Sequence, residues 1–281
     1  MGSAILIAPV FDDVTAYSYD WSREVEKLLL ENGYNVLSLS GRPLRRDEVE
    51  EALKSRPNAI IIFYDHGRED SLLASQTENA IDTKNAHLLR GRECYTLACS
   101  SASGLGVEAY RNGCLAYWGY TREFGFTTDS LEEFRQFANS GIKLRIKEKL
   151  SWRQCLEETK KLAKQLIGKL LSTGRIIAAI IMQQDADALV CYTPDNPPTT
   201  KCFLRKIALK IFGLKLGWRI SRKHAVALLL MGGGLGTYIH DRIVESAVLG
   251  SRIHGIDIGF MLITVSWLIL SMEIIRWLKN A

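Results

Sequence analysis

The 281-residue sequence lacks the features that mark several protein classes. The apolar stretch 3–10 has no basic region before it and runs into Asp12 and Asp13, so it predicts a strand rather than a secretion signal. A net charge of +5 is a weak argument for nucleic-acid binding. No CxxC pair occurs, which favours free thiols in a reducing compartment over a zinc site or a disulfide framework. The cysteines are Cys94, Cys99, Cys114, Cys155, Cys191 and Cys202.

Internal repeats and low-complexity segments are also absent, and the chain instead alternates between predicted strands and helices up to residue 192. Such alternation predicts a three-layer α/β domain with a mainly parallel sheet and helices on both faces. The turn-rich stretch TPDNPP (193–198) marks its end, so we place a domain at 1–198. Strands are predicted at 4–10, 35–39, 58–64, 94–98, 114–120 and 188–192, and helices at 21–31, 46–54, 105–111 and within 130–184.

Two of the predicted strands end in reactive residues. The third is followed by His66 and Gly67, and the fourth by Cys99. If these strands are neighbours, they lie about 4.8 Å apart, and their carboxyl ends place an imidazole near a thiol. This is the arrangement that a Cys–His dyad requires, because the base must reach the nucleophile. The backbone N–H groups of Gly67 and Cys99 are candidate donors to the oxyanion of a tetrahedral intermediate.

The segments 58–67 and 94–120 resemble the caspase–gingipain superfamily of cysteine peptidases, most closely its gingipain and CHAT-type branches. The resemblance implies a caspase-like fold over roughly residues 3–195. It also implies Cys99 as nucleophile, His66 as general base and Gly67 as oxyanion donor, acting on a protein or peptide substrate without a cofactor or metal. Asp65 stands where the family usually has a small residue.

Structural interpretations remain open beside the catalytic one. A cysteine at a strand end is often a small buried hydrophobe, and an inactive member of the fold would carry the same residues. Cys94, Cys114 and Cys191 fall in predicted strands, so we expect them in the core, and Cys155 lies on a predicted helix. The charged residues near the site are interpreted as solvated loop charges rather than as specificity determinants; they are Asp65, Glu93, Arg122 and Glu123.

The last part of the chain is far more apolar than the rest. Residues 225–239 and 258–272 each contain no charge over 15 positions, which predicts a two-helix membrane hairpin within 224–281. The preceding segment, 199–223, contains eight Lys and Arg between 201 and 223 and resembles an amphipathic helix on an anionic lipid bilayer. Basic flanks stay cytoplasmic, so the catalytic domain is predicted on that face of the membrane. GxxxG spacings in both stretches favour close helix packing and thus homo-oligomer formation.

The loop between the two apolar stretches suggests a rival function. His240, Asp241, His254 and Asp257 cluster there, but their spacing lacks a tight ligand pattern such as HExxH. Three hypotheses follow: a membrane-anchored cysteine endopeptidase, an inactive caspase-fold module that binds partners at the membrane, and a metal-dependent membrane hydrolase. We favour the first, with no metal and no nucleic acid involved.

Overall fold

The computed structural model of the chain describes residues 2–198, and these form one α/β domain. The strands are β1 (Ser3–Ala8), β2 (Asn35–Ser40), β3 (Ile60–Tyr64), β4 (Gly67–Arg68), β5 (Ser71–Leu73), β6 (Asn79–Asp82), β7 (Glu93–Leu97), β8 (Ala116–Tyr120) and β9 (Leu189–Tyr192). The α-helices are α1 (Asp13–Glu31), α2 (Arg46–Ser55), α3 (Leu105–Arg111), α4 (Leu131–Lys147), α5 (Trp152–Ser172) and α6 (Ile176–Ala188).

Six strands build the main sheet in the order β2-β1-β3-β7-β8-β9. The first five are parallel, and β9 pairs antiparallel with β8. One apolar layer joins α1, α4, α5 and α6 to one face of the sheet, and a second joins α2 and α3 to the other. The predicted mainly parallel sheet with helices on both faces is confirmed.

The burial of the strands explains why the mainly parallel sheet could be predicted. All five residues of β3 are buried, since the strand is covered on both faces and carries an uninterrupted apolar run. Side chains alternate along it, so that Ile62 belongs to one apolar layer and Phe63 to the other.

Three stretches differ from the prediction. Helix α1 begins at Asp13 rather than near residue 21, because Asp12 caps it and accepts a 2.8 Å hydrogen bond from the Thr15 N–H. The irregular stretch 68–91 contains most of a small antiparallel sheet, β4-β5-β6, whose strands are too short to show a period. The long helical pattern after residue 130 is three helices, and Ser151 caps the second of them.

Within residues 2–198, no helix combines the length and apolarity needed to cross a bilayer, and no group of three His, Cys, Asp or Glu side chains is placed to hold a metal. The basic segment 199–223, the membrane hairpin within 224–281 and the four candidate metal ligands lie outside the described residues. They remain predictions.

Candidate active site

Three parallel strands bring reactive side chains to one edge of the main sheet. Strands β1, β3 and β7 are adjacent and end in register, with Ile7 opposite Phe63 and Tyr64 opposite Leu97. His66 and Cys99 each follow the last paired residue of their strand by two positions. They therefore stand at equivalent places on strands that lie about 4.8 Å apart.

Gly67 shows how closely the two strand ends approach. A Cβ on this glycine would lie 2.8 Å from the Ala98 Cβ and 2.8 Å from the Cys99 carbonyl oxygen. Real Cβ atoms do not tolerate such contacts, so a side chain here would push the two segments apart. The segment that carries His66 thus packs directly on the segment that carries Cys99, and both residues line the same pocket.

The His66 ring is held by a carboxylate that the sequence did not mark as part of the site. Its Nε2 lies 2.9 Å from Oδ2 of Asp12, which follows β1, while the other oxygen of Asp12 caps α1. Burial raises the pKa of Asp12, but hydrogen bonds from Thr15 and His66 outweigh it and keep that pKa below its ordinary value. Because a carboxylate only accepts, it selects the tautomer with the proton on Nε2 and leaves Nδ1 as the basic nitrogen.

The Cys99 thiol contacts the chain that follows β8. The Phe124 N–H points at Sγ from 3.4 Å, and Sγ lies 3.7 Å from the Phe124 carbonyl oxygen. Within residues 2–198 the hydrogen-bond partner of the thiol is therefore Phe124, whereas that of the His66 ring is Asp12. Burial raises the pKa of Cys99, although the Phe124 backbone opposes it. An attacking thiolate needs the reverse shift.

Asp65 is buried rather than solvated, so the interpretation of this residue as an exposed loop charge is wrong. The residue is 5% exposed, one oxygen accepts a 2.5 Å hydrogen bond from the His66 N–H, and the other has no partner within residues 2–198. Burial raises the pKa of Asp65 to about 8. Glu93 is likewise no free loop charge, because it begins β7 and binds Arg145. Arg122 is exposed, and its side chain donates to the Gln184 carbonyl oxygen at 3.4 Å.

The backbone after Cys99 adopts a conformation that residues other than glycine rarely take. Ser100 has φ of 56°, in the left-handed region, and its N–H donates to the Arg122 carbonyl oxygen at 2.8 Å. A 3₁₀ turn, Ser101–Ser103, then leads to α3. Conformations of this kind persist only where surrounding contacts enforce them, and they concentrate at functional sites.

The Gly67 N–H does not take part in the hydrogen bonding between β4 and β5. The Leu73 N–H donates to the His66 carbonyl oxygen at 3.1 Å, which makes these two residues a hydrogen-bonded pair of the antiparallel ladder. The next pair, Gly67 and Leu72, is then of the non-bonded kind, because the two kinds alternate. The Gly67 N–H consequently points away from β5; Gly67 follows His66, which lines the pocket, but is not itself one of the lining residues.

The remaining cysteines separate clearly from Cys99. As predicted, Cys94, Cys114 and Cys191 are buried, and Cys155 on α5 is buried as well. Among the cysteines of residues 2–198, only Cys99 keeps part of its surface accessible. Cys114 lies just before β8 rather than within it.

These residues bring together a thiol, an imidazole oriented by a carboxylate, and a backbone N–H, which are the kinds of group that acyl-transfer enzymes use. The pocket between them is small, at about 40 Å³, and is lined mainly by apolar side chains, including Val14, Trp21, Leu97, Phe124 and Phe126. No protein-family model, no curated protein and no solved structure matches the chain.

Proposed function

We propose that this chain is a membrane-anchored cysteine peptidase in which Cys99 is the nucleophile and His66 the general base. The observation that carries the proposal is the register of β3 and β7, which sets the two residues side by side at the carboxyl edge of the sheet. The close approach at Gly67 supports it, because the segment that follows β3 packs directly on the segment that carries Cys99.

In the proposed reaction, Nδ1 of His66 takes the proton from the Cys99 thiol, and the thiolate attacks the carbonyl carbon of the scissile peptide bond. The resulting oxyanion accepts hydrogen bonds from the Gly67 and Cys99 N–H groups. His66 then donates its proton to the departing amine, which leaves a thioester on Cys99. Water hydrolyses the thioester with His66 again as base. Asp12 acts as a positioning residue that stabilises the imidazolium.

Three observations favour a second candidate, an inactive caspase-fold module that binds partners at the membrane. The thiol contacts Phe124, the imidazole contacts Asp12, and the pKa of Cys99 is raised. All three are expected of a site that performs no chemistry, whereas an active enzyme would show them only in its resting state. The reactivity of Cys99 separates the two candidates.

The decisive experiment compares Cys99→Ala and His66→Ala with the unmodified chain. Peptide-bond cleavage should disappear in Cys99→Ala and fall about 100-fold or more in His66→Ala, since general-base catalysis contributes that much. The rate at which an alkylating agent modifies Cys99 should also fall in His66→Ala. Cys114→Ala is the control, because it removes a buried thiol and should change neither rate. A Cys99 that is equally reactive with and without His66 would support the inactive module.

The membrane anchor is proposed from the two charge-free stretches and the basic segment before them. Washing membranes with high salt and then with alkali should leave the chain bound, since apolar burial is not screened by ions. Release by salt alone would reduce the attachment to electrostatic adhesion. Tags at Ala281 and between His240 and His254 should report opposite sides of the membrane.

A further inference from the structure

Residues 121–127, which connect β8 to the turn before α4, cover the Cys99 thiol; we call this segment the cap. Its Phe124 N–H contacts Sγ at 3.4 Å. Phe124 and Phe126 line the pocket together with Cys99, and Phe126 packs edge-on against Trp21 with ring centroids 5.3 Å apart. The chain itself therefore occupies the approach to the nucleophile.

A buried carboxyl on α6 holds the cap in place. Asp185 is 1% exposed, and its Oδ1 accepts a 3.1 Å hydrogen bond from the Gly125 N–H, directly after Phe124. Within residues 2–198 its second oxygen has no hydrogen-bond partner, and no side chain forms an ion pair with this carboxyl. Among these residues the Gly125 N–H is therefore the group that Asp185 binds, and loss of the acceptor would leave that N–H buried without a partner.

Contact between the cap and α6 is also tight beside the hydrogen bond. A Cβ on Gly125 would lie 3.0 Å from Cγ2 of Ile181, which is closer than most Cβ contacts. Glycine at this position thus allows the cap to reach α6 and Asp185. Any larger residue would press the cap outward.

We propose that the cap is an autoinhibitory segment whose latch is the Asp185–Gly125 hydrogen bond, and that a substrate must displace it to reach Cys99. The inference rests on the proposed function, because only an enzyme can be autoinhibited. Its test does not depend on that function, because the test measures access of a reagent to the thiol. A pocket of about 40 Å³ holds little more than a water molecule, so no peptide side chain fits beneath the closed cap. Asp185 lies on α6, whereas Cys99 follows β7, so the latch can be changed without substituting Cys99 or its neighbours in the chain.

The test is alkylation of the full chain, followed by trypsin and mass spectrometry. Cleavage after Arg92 and Arg111 gives one peptide that contains both Cys94 and Cys99. Cys94 is 1% exposed and serves as an internal report on general loosening. Asp185→Leu removes the acceptor at similar volume, and we expect Cys99 alkylation to accelerate about threefold to tenfold, as for one lost buried hydrogen bond.

Asp185→Asn is the matched control, because its amide oxygen still accepts from Gly125; the rate should stay within about twofold of the original. A second control, Glu133→Ala, removes the ion pairs that hold the other end of α6 through Arg175 and should not expose Cys99. Gly125→Val opens the cap by a second route that leaves Asp185 intact.

Faster Cys99 alkylation in Asp185→Leu and in Gly125→Val, with Cys94 still protected, supports the latch. The proposal is overturned if either variant keeps Cys94 protected and its rate of Cys99 alkylation is nevertheless unchanged. Because alkylation needs no substrate, either result stands whether or not the chain cleaves peptides. Loss of cleavage in Cys99→Ala tests the proposed function separately.

Discussion

Charged residues are paired differently at the two ends of the strands of the main sheet. We call the side at which the parallel strands begin the amino edge, and the side at which they end the carboxyl edge. At the amino edge, Glu93 binds Arg145 through two hydrogen bonds, with a shortest N–O distance of 2.5 Å. The neighbouring Arg92 is 5% exposed, and it donates to the backbone carbonyls of Arg56 and Leu53 at 2.7 and 2.6 Å. Glu93 thus has a cationic partner, and Arg92 has two carbonyl acceptors, although within residues 2–198 its Nε has none.

At the carboxyl edge, no cationic side chain of residues 2–198 forms an ion pair with the buried carboxyls of Asp65 and Asp185. Within the described residues each keeps one oxygen without a hydrogen bond, and burial raises the pKa of each to about 8. Ser100, next to Cys99, adds a left-handed backbone conformation. Buried carboxyls without a cation thus distinguish the carboxyl edge from the amino edge, and features of this kind concentrate where a protein gives up stability for a site.

The largest expected effect is that of Asp12→Asn on cleavage. Asparagine caps helices as well as aspartate does, so α1 should stay intact. Its amide, however, does not hold the Nε2 proton of His66 as a carboxylate does, and the ring would lose the tautomer that leaves Nδ1 free. We expect kcat/KM to fall about 100-fold, and the pH profile of cleavage to change its shape.

Asp13→Asn is the control, because it neutralises the adjacent acid of the same helix turn and should leave cleavage unchanged. NMR of the His66 ring should show a change of tautomer in Asp12→Asn and none in Asp13→Asn. An Asp12→Asn variant with full activity would mean that Asp12 serves the helix cap alone, and that this part of the comparison between the two edges fails.

The next effect concerns stability at the carboxyl edge. The pKa of Asp65 is about 8 in the folded chain and near 3.8 otherwise. Stability is therefore full below pH 4 and is lost as the pH rises from 4 to 8, by up to about 1.4 kcal/mol per unit. Asp65→Asn removes this loss but leaves an unpaired amide. Because that amide costs the same at both pH values, we expect the substitution to be more favourable at pH 7 than at pH 4 by about 4 kcal/mol.

Chemical unfolding at both pH values measures this difference. Asp187→Asn is the matched control. Asp187 is an exposed aspartate on α6, so this substitution should not change the free energy of unfolding at either pH. If Asp65→Asn destabilises the chain at pH 7, Asp65 is ionised and has a partner in solution, and the contrast between the two edges disappears.

Most of the fold could be predicted because the buried strands are uninterrupted apolar runs, which are easy to recognise in the sequence. The run that ends at Tyr64 is apolar throughout, and the alternation of strands and helices fixes a mainly parallel sheet. The antiparallel direction of β9 has no such signal, because pairing direction is decided by the path of α6 rather than by the residues of the strand. The short strands between Gly67 and Asp82 were missed for want of length.

The site was predicted only in part. His66, Gly67 and Cys99 follow strand patterns, so their common edge could be inferred from the sequence. Asp12 stands four residues beyond β1, and its contact with His66 depends on how α1 starts. Nothing in the residues around Asp185 indicates that it meets Gly125, which is 60 positions away. Contacts that depend on helix placement lie beyond pattern reasoning.

The smallest expected effect lies at the amino edge. Glu93→Gln keeps the shape of the side chain but removes its charge opposite Arg145, whose side chain is 29% exposed. A partly buried bidentate pair is worth more than an ordinary surface pair, so we expect a loss of about 1 kcal/mol in the free energy of unfolding. High salt should shrink the loss. Glu157→Gln, which removes a pair with the well-exposed Arg153, should cost nothing measurable. Equal losses in the two variants would show that the amino edge gains no stability from its paired charges, and that the difference between the edges comes from the carboxyl edge alone.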